Sequence, residues 1–184
     1  MKQILILFGI ILFNSFAYSQ DIKDPIEVTP LLEKKIAQET EREANLLKAY
    51  LTEKGESKLS VEFALDTFRI EKYSGKYMEY DWSTAGMRTA TFEAARKYDS
   101  LLNKYYKKLL AVLQGSDKQV LLQAQKAWIA FRDSELKLIS TISKDEYSGG
   151  GTIQQLTDTS EYFTLIMNRT ITIYQHLLRA TQDN

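Results

Sequence analysis

The chain has 184 residues with 24 Lys or Arg and 24 Asp or Glu, so its formal net charge is zero, and it contains no cysteine. The lack of cysteine excludes disulfides, thiol catalysis and thiolate metal sites. A balanced charge gives no reason to expect nucleic-acid binding, and the length suits one domain with a single core.

The first 19 residues are typical of a secretory signal peptide. Lys2 gives a positive start, residues 4–13 form an apolar run of ten, and Ala17-Tyr18-Ser19 places small residues at a cleavage position. A membrane-spanning helix needs about 20 apolar residues, so this run is too short to be an anchor. We therefore expect cleavage near Ser19/Gln20 and an extracytoplasmic protein, periplasmic or secreted.

The next part of the chain predicts one or two helices. Thr29-Pro30 is a favourable opening, since proline at the first helical position loses no hydrogen bond, and this helix should run to about Lys54. Ser60 could cap a second helix that continues towards Tyr77. The aromatic-rich stretch Tyr73–Trp82 is ambiguous: its rings are either half-buried core or a patch that binds a partner.

The remaining sequence predicts three long helices, because apolar residues recur at helical spacing. The first stripe comprises Met87, Ala94, Tyr98, Leu101, Tyr105, Leu109 and Val112. The second comprises Leu121, Ala124, Trp128, Phe131, Leu138 and Ile142, and the third comprises Leu156, Phe163, Ile166, Ile173 and Leu177. Two capping boxes, Ser116-x-x-Gln119 and Thr152-x-x-Gln155, should start the second and third helices.

These patterns predict an all-α fold: an up-and-down antiparallel bundle of three long helices with one or two additional N-terminal helices. The predicted division of the chain is a signal peptide over 1–19, an N-terminal helical extension over 20–83 and a helical domain over 84–182. The first two helices should be a weaker addition to the bundle, and the face of the first is heavily charged, with Glu41, Arg42 and Glu43 in succession.

No residues form a recognisable catalytic, cofactor-binding or metal site. His176 is the single histidine and has no second ligand nearby in sequence, so we expect a structural or surface role. Arg132 lies among apolar neighbours and should reach Glu135 on its own helix or Asp99 on the preceding one. Such a cluster is either a ligand clamp or a charge pair that ties helices together, and the structural interpretation is favoured.

The Gly149-Gly150-Gly151 loop lacks the Lys-Ser/Thr that follows the glycines of a phosphate-binding loop. Two interpretations remain open. The loop is either a flexible connection or a place where the backbone approaches a partner closely, since loops on rigid bundles often carry recognition.

Two segments of the chain carry a family pattern. One runs from Thr84-Ala85-Gly86-Met87 through Tyr98-Asp99-Ser100-Leu101-Leu102-Asn103-Lys104-Tyr105-Tyr106, and the other is the segment Ala124–Asp133 with the pattern A-Q-x-x-W-x-x-F-R-D. Together they resemble the family of small exported bacterial proteins named after the lysozyme inhibitor LprI, over roughly residues 84–180. The residues that match the motif are Asp99, Asn103, Tyr106, Trp128, Phe131, Arg132 and Asp133, and their helical spacing indicates a structural role.

The resemblance implies a non-catalytic exported protein that binds a protein partner, with a lysozyme as the candidate, and it implies no cofactor. The alternative hypothesis is a structural or assembly module of the cell envelope that assembles through its N-terminal helix or its aromatic residues. A hydrolase is the third hypothesis, but no nucleophile and base can be paired in the sequence. Residues 84–142 hold ten basic against five acidic residues, a balance of +5 that disfavours these helices as the surface for a cationic enzyme.

Overall fold

The structure is a computed structural model that describes residues 24–181, so the predicted signal peptide lies outside the described residues. Within this range the chain forms helices only, as the sequence predicted. They are α1 (Pro30–Glu53), α2 (Lys58–Tyr80), α3 (Thr84–Val112), α4 (Asp117–Ile142), the single turn α5 (Asp145–Ser148) and α6 (Thr152–Thr181).

The five long helices alternate in direction along the chain. Ion pairs join the middle of α1 to the later half of α2, and Lys108 near the end of α3 pairs with Glu62 near the start of α2. Contacts between α3 and α6 advance together along both helices, from Arg88 with Gln155 to Tyr105 with Tyr174. Helices α3 and α6 are therefore parallel to each other, as they must be when α4 runs antiparallel between them in an up-and-down bundle.

The most extensive helix contact is the one between α3 and α6. The buried α3 side of this contact includes Ala90, Ala94 and Ala95, whose small side chains let the two backbones approach closely. Buried Thr170 on α6 donates its hydroxyl hydrogen bond to the backbone carbonyl of Tyr98 on α3 at 3.2 Å. A side chain that reaches across to the neighbouring backbone in this way requires tight packing.

Helix α2 completes the core with an aromatic cluster. The ring of Phe63 stacks on Tyr174 of α6 at 3.7 Å between centroids and meets Tyr105 of α3 edge-on at 5.1 Å. The fully buried Tyr105 donates its hydroxyl to Asp66 at 2.7 Å, and Lys104 pairs with the same carboxylate. The prediction that the N-terminal helices add only weakly to the bundle is therefore wrong for α2.

Helix α1 packs on α2 through a small apolar cluster around Ala44, Val61 and Leu65, together with a row of ion pairs. Lys76 of α2 lies between Glu39 and Glu43 at 2.9 and 3.2 Å, and hydrogen bonding by Glu39 raises the pKa of Lys76. These pairs are partly exposed at the protein surface, and ion pairs there add little stability each, so we expect the apolar cluster to account for most of the stability of this contact.

Helix α4 departs most from the prediction. Of the stripe expected to be buried, Ala124, Phe131, Leu138 and Ile142 are exposed, and Leu121 is the one residue of this helix that is fully buried. The face that α4 turns to the bundle instead follows residues 121, 125, 128, 132, 135 and 139, about one residue around the helix from the predicted stripe. Polar side chains therefore share this face with Trp128.

The helix starts test the capping predictions. Thr29 caps α1, accepting the backbone N–H of Leu32, with Pro30 at the first position, which confirms that start. Helix α2 is capped by Ser57 rather than Ser60. Neither predicted capping box forms: Ser116 makes no side-chain cap bond, and Thr152 is already helical because the preceding glycine turn leads directly into α6.

The central position of α6 gives a direct stability test. We expect Ile173→Ala, at a fully buried site facing α3, to lower the free energy of unfolding by about 2–5 kcal/mol. The matched change Ile153→Ala, at an exposed site on the same helix, should cost less than about 0.5 kcal/mol. Urea unfolding followed by circular dichroism measures both, and equal losses at the two sites would contradict the assigned core.

Candidate functional site

One residue of the family motif, Trp128, lies between α3, α4 and α6, whereas the motif residue Phe131 is exposed on α4. Trp128 packs partly buried against both main core clusters. The guanidinium of Arg132, one turn later on α4, lies 5.5 Å from the indole centroid, and that of Arg169 from α6 lies 5.7 Å away. Arg169 also donates from Nε to the Oε1 atom of Gln125 at 3.1 Å, which ties α6 to α4.

Arg132 does not bind either of its predicted partners. Its Nε and Nη2 atoms donate to one carboxylate oxygen of Asp133 at 2.9 and 2.7 Å, so the prediction of a bond to Glu135 or Asp99 is wrong. The arginine side chain folds along its own helix and reaches the next residue, whose side chain is half exposed. A partly exposed ion pair between neighbouring residues contributes little to stability. We therefore expect the contact of Arg132 with Trp128 to contribute more to stability than its ion pair with Asp133.

The remaining motif residues on α3 line the other side of this region. Asp99 is half-buried, and the side-chain amide of Asn103 donates to its backbone carbonyl at 2.9 Å. Tyr106 packs against the core cluster. Burial raises the pKa of Tyr162 on α6, the charge of Asp99 raises it further and the charge of Arg132 opposes this, so these three groups share one polar region.

Arg169 is the most buried charge in this group. Desolvation lowers the pKa of its guanidinium, and no carboxylate lies within ion-pair distance of it among residues 24–181. The contact with the ring of Trp128 and the hydrogen bond to the neutral amide of Gln125 offset only part of the free-energy cost of burying the guanidinium. The sequence did not predict that Gln125 and Tyr162 belong to this region. A tertiary contact between two helices leaves no periodic signal in the sequence of either helix.

Gly149, Gly150 and Gly151 form a turn with a defined backbone conformation between α5 and α6. All three have positive φ angles, 76°, 75° and 95°, a conformation that favours glycine. The Ser148 hydroxyl accepts the backbone N–H of Gly150 at 3.1 Å and donates to the carbonyl of Ser143. The turn therefore has a defined conformation, and it holds the exposed side chain of Tyr147 beside Asp145 and Glu146.

The other candidates from the sequence are dispersed. His176 is exposed on α6 and contacts Arg179, and burial lowers its pKa, with the charges of Arg179 and Arg169 lowering it further. In the aromatic stretch, Trp82 is exposed, whereas Tyr73, Tyr77 and Tyr80 are half-buried. Lys97 lies over the ring of Tyr73 at 4.2 Å. These tyrosines are therefore partly covered, and Trp82 is the most exposed of the aromatic residues named here.

Three further features of the described residues bear on other kinds of site. Residues 24–181 contain no group of three His, Asp or Glu side chains arranged to hold a metal ion. None of the helices in that range combines the length and the apolar character that crossing a bilayer requires. An open groove of about 750 Å³ lies between α1, α2 and α6, floored by Phe63 and Phe68.

These features define a small all-helical bundle protein with a tryptophan–arginine cluster at the centre of its motif. The family model described as lysozyme inhibitor LprI matches residues 77–171, which is half of the chain, and the chain belongs to this family. Searches of curated proteins and of solved structures found no significant match. The matched range contains the tryptophan–arginine cluster and the glycine turn, whereas all the residues that line the groove lie outside it.

The tryptophan–arginine cluster predicts an order of stability losses. Trp128→Ala should cost about 3 kcal/mol, because it removes a large ring that contacts both core clusters and also uncovers Arg169. Arg132→Ala should cost about 1 kcal/mol, the size of one cation–π contact. Asp133→Ala should cost less than about 0.5 kcal/mol, since its side chain is half exposed.

Urea unfolding of the three variants measures these free energies. An Arg132→Ala loss as large as that of Trp128→Ala would mean that the arginine has a buried partner other than Asp133.

Proposed function

We propose that this protein is a non-catalytic, extracytoplasmic binding protein whose partner is a lysozyme. The observation that carries the proposal is the match of residues 77–171 to the lysozyme inhibitor family. A binding function also agrees with the motif residues, since Trp128 packs against α3 and α6 and Arg132 contacts Trp128 and Asp133 on its own helix, so these side chains are not gathered around an open cleft.

The glycine turn supports a contact surface for this partner. It carries Tyr147, 62% exposed, beside exposed Asp145 and Glu146, and the exposed Ile153 follows at the start of α6. Exposed aromatic residues are frequent anchors of protein interfaces. Acidic neighbours suit the basic surface that lysozymes often have, whereas the basic excess along residues 84–142 does not.

The shape of the turn favours it as a rigid contact. The hydrogen bond to Ser148 and the positive φ angles of the three glycines define the conformation of the turn. Binding would then require little ordering of the loop, which lowers the entropic cost of association. Gly150 is a poor probe of this idea, since its φ of 75° is a conformation that residues with a side chain rarely adopt, and any replacement would strain the turn itself.

A structural or assembly role in the envelope is the second candidate function. The observation that favours it is the exposed apolar face of α4. This role does not require lysozyme binding, so the two candidates are separated by the experiments below.

Tyr147 tests the proposed contact. We expect Tyr147→Ala to weaken binding to a susceptible lysozyme by roughly 30-fold, the effect of losing about 2 kcal/mol at an interface anchor. Its melting temperature should stay close to that of the parent, because the side chain is exposed. Tyr50→Ala is the matched control, an equally simple truncation of an exposed tyrosine on α1, outside the family match.

Isothermal titration calorimetry and a cell-wall lysis assay against a panel of lysozyme classes measure these effects. Equal affinities of Tyr147→Ala and the parent would rule out the turn as the contact. A panel in which the parent itself neither binds nor inhibits any lysozyme would leave the envelope-assembly role as the better account.

Export has its own test. We expect the protein recovered from an expressing bacterium to be extracytoplasmic and to begin at Gln20 or Asp21, because the first 19 residues have the charge and apolar pattern of a signal peptide. Cell fractionation with N-terminal sequencing measures this. Recovery of the protein with Met1 and the apolar run intact would contradict the proposed localisation.

A further inference from the structure

The groove between α1, α2 and α6 has the size and lining of a binding site for a small molecule. Its volume of about 750 Å³ lies within the range of cavities that hold small organic ligands. The lining is mainly apolar, and three of its side chains are aromatic: Phe63, Phe68 and Tyr174. Ligand sites usually combine such a lining with a few polar groups that orient the ligand, so the charged residues of the groove indicate what it can bind.

The three charged residues of the lining lie at its two ends. Helices α2 and α6 run in opposite directions, and Phe63 stacks on Tyr174 where they meet. Arg179, which follows Tyr174 on α6, therefore lies towards the start of α2, at the same end as Glu56. Glu71 lies about 12 Å beyond Phe63 along α2, at the other end. One end of the groove thus carries a charge of each sign, whereas the other end is acidic.

The charge of Glu71 is not neutralised by the protein. The carboxylate accepts the hydroxyl of the buried Tyr98 on one oxygen, Oε1, which holds it in place and leaves Oε2 able to accept a further donor. Among residues 24–181, no lysine or arginine lies within ion-pair distance of it. The nearest basic residues along α2, Arg69 and Lys72, pair instead with carboxylates of α1. The acidic end of the groove therefore offers a fixed anion to a ligand.

We propose that the groove binds a small molecule that has an apolar body and one cationic end, with the cation at Glu71 and the body over Phe63 and Phe68. The apolar floor strengthens the attraction between the two charges, because it excludes water from one side of the pair. The faces of aromatic rings also attract cations. An amine on a straight alkyl chain is the simplest molecule of this kind.

The charges of the groove disfavour the other classes of ligand. An anionic end group would need Arg179, the one cation of the lining, whose charge Glu56 offsets at the same end. A neutral apolar molecule would gain nothing from Glu71. Charge complementarity therefore selects the cation, and this inference does not depend on lysozyme binding.

Isothermal titration calorimetry of the processed protein with three probes of equal chain length tests the charge preference. The probes are decylammonium, decanol and decanoate, each below the concentration at which it forms micelles. We expect decylammonium to bind saturably and about ten-fold more tightly than either of the others, which is the size of one charge-assisted contact. Equal affinities for the three probes, or no saturable binding of decylammonium, would overturn the proposal.

Glu71→Gln tests the position of the cation. This change removes the charge, while the new amide oxygen can still accept the Tyr98 hydroxyl. We expect decylammonium to bind about ten-fold more weakly and decanol to bind as before. Glu79→Gln is the matched control, an exposed carboxylate of the same helix outside the groove, and it should behave like the parent. Unchanged decylammonium binding in Glu71→Gln would contradict the assigned position.

Ala64→Phe distinguishes the groove from other apolar surfaces, because the larger side chain would fill part of the groove. We expect it to abolish decylammonium binding, whereas Ala49→Phe, at an exposed position of α1 outside the lining, should bind like the parent. Circular dichroism checks that both variants are folded.

Backbone amide chemical shifts of the parent locate the probe independently of any variant. Changes on decylammonium binding should centre on residues 60–71 and 174–179, which line the groove. Changes centred on α4, or binding retained in a folded Ala64→Phe variant, would place the probe elsewhere and overturn the groove as its site.

Discussion

The close packing of α3 against α6 is the contact on which the rest of the bundle depends. It brings together three of the largest fully buried side chains, Tyr98, Ile166 and Ile173, and the hydrogen bond from Thr170 to the Tyr98 carbonyl lies at its centre. Because the two helices are parallel, the chain must return between them, and α4 is that return. The glycine turn that leads from α4 and α5 into α6 is thus a consequence of the same topology.

The two helices that flank this pair contribute very differently. Helix α2 inserts Phe63 between Tyr105 and Tyr174, and the Asp66 carboxylate accepts the buried hydroxyl of Tyr105. Helix α4 contributes Leu121 and part of Trp128, and its Gln125 accepts a hydrogen bond from Arg169 of α6. The unequal packing leaves several apolar residues of α4 exposed, among them Val120, Phe131 and Leu138.

The positions of the helices could be read from the sequence because their signals are local. Apolar periodicity located α3, α4 and α6, and Thr29-Pro30 located the start of α1. The face that α4 turns to the bundle could not be predicted from the sequence. This helix is apolar around most of its circumference, so two stripes one residue apart are both plausible. The choice between them depends on Arg169 and Gln125 meeting across two helices, which is tertiary information.

The candidate site was predictable to a similar degree. The resemblance identified Trp128 and Arg132 as motif residues, and the structure brings them together with Arg169. The partner of Arg132 was missed because adjacent helical residues point in different directions, and only the length of the arginine side chain lets it reach Asp133. Their role as framework remains a prediction, and so does the role of the glycine turn.

Amide hydrogen exchange tests the central claim most directly, namely that α3 and α6 form the stable frame and that α4 packs on it less extensively. The account predicts the slowest exchange in α3 and α6, because their amides open only in global unfolding. It predicts faster exchange in α4, whose amides can open while the α3–α6 pair stays folded. Protection of α4 equal to that of α3 would contradict the account.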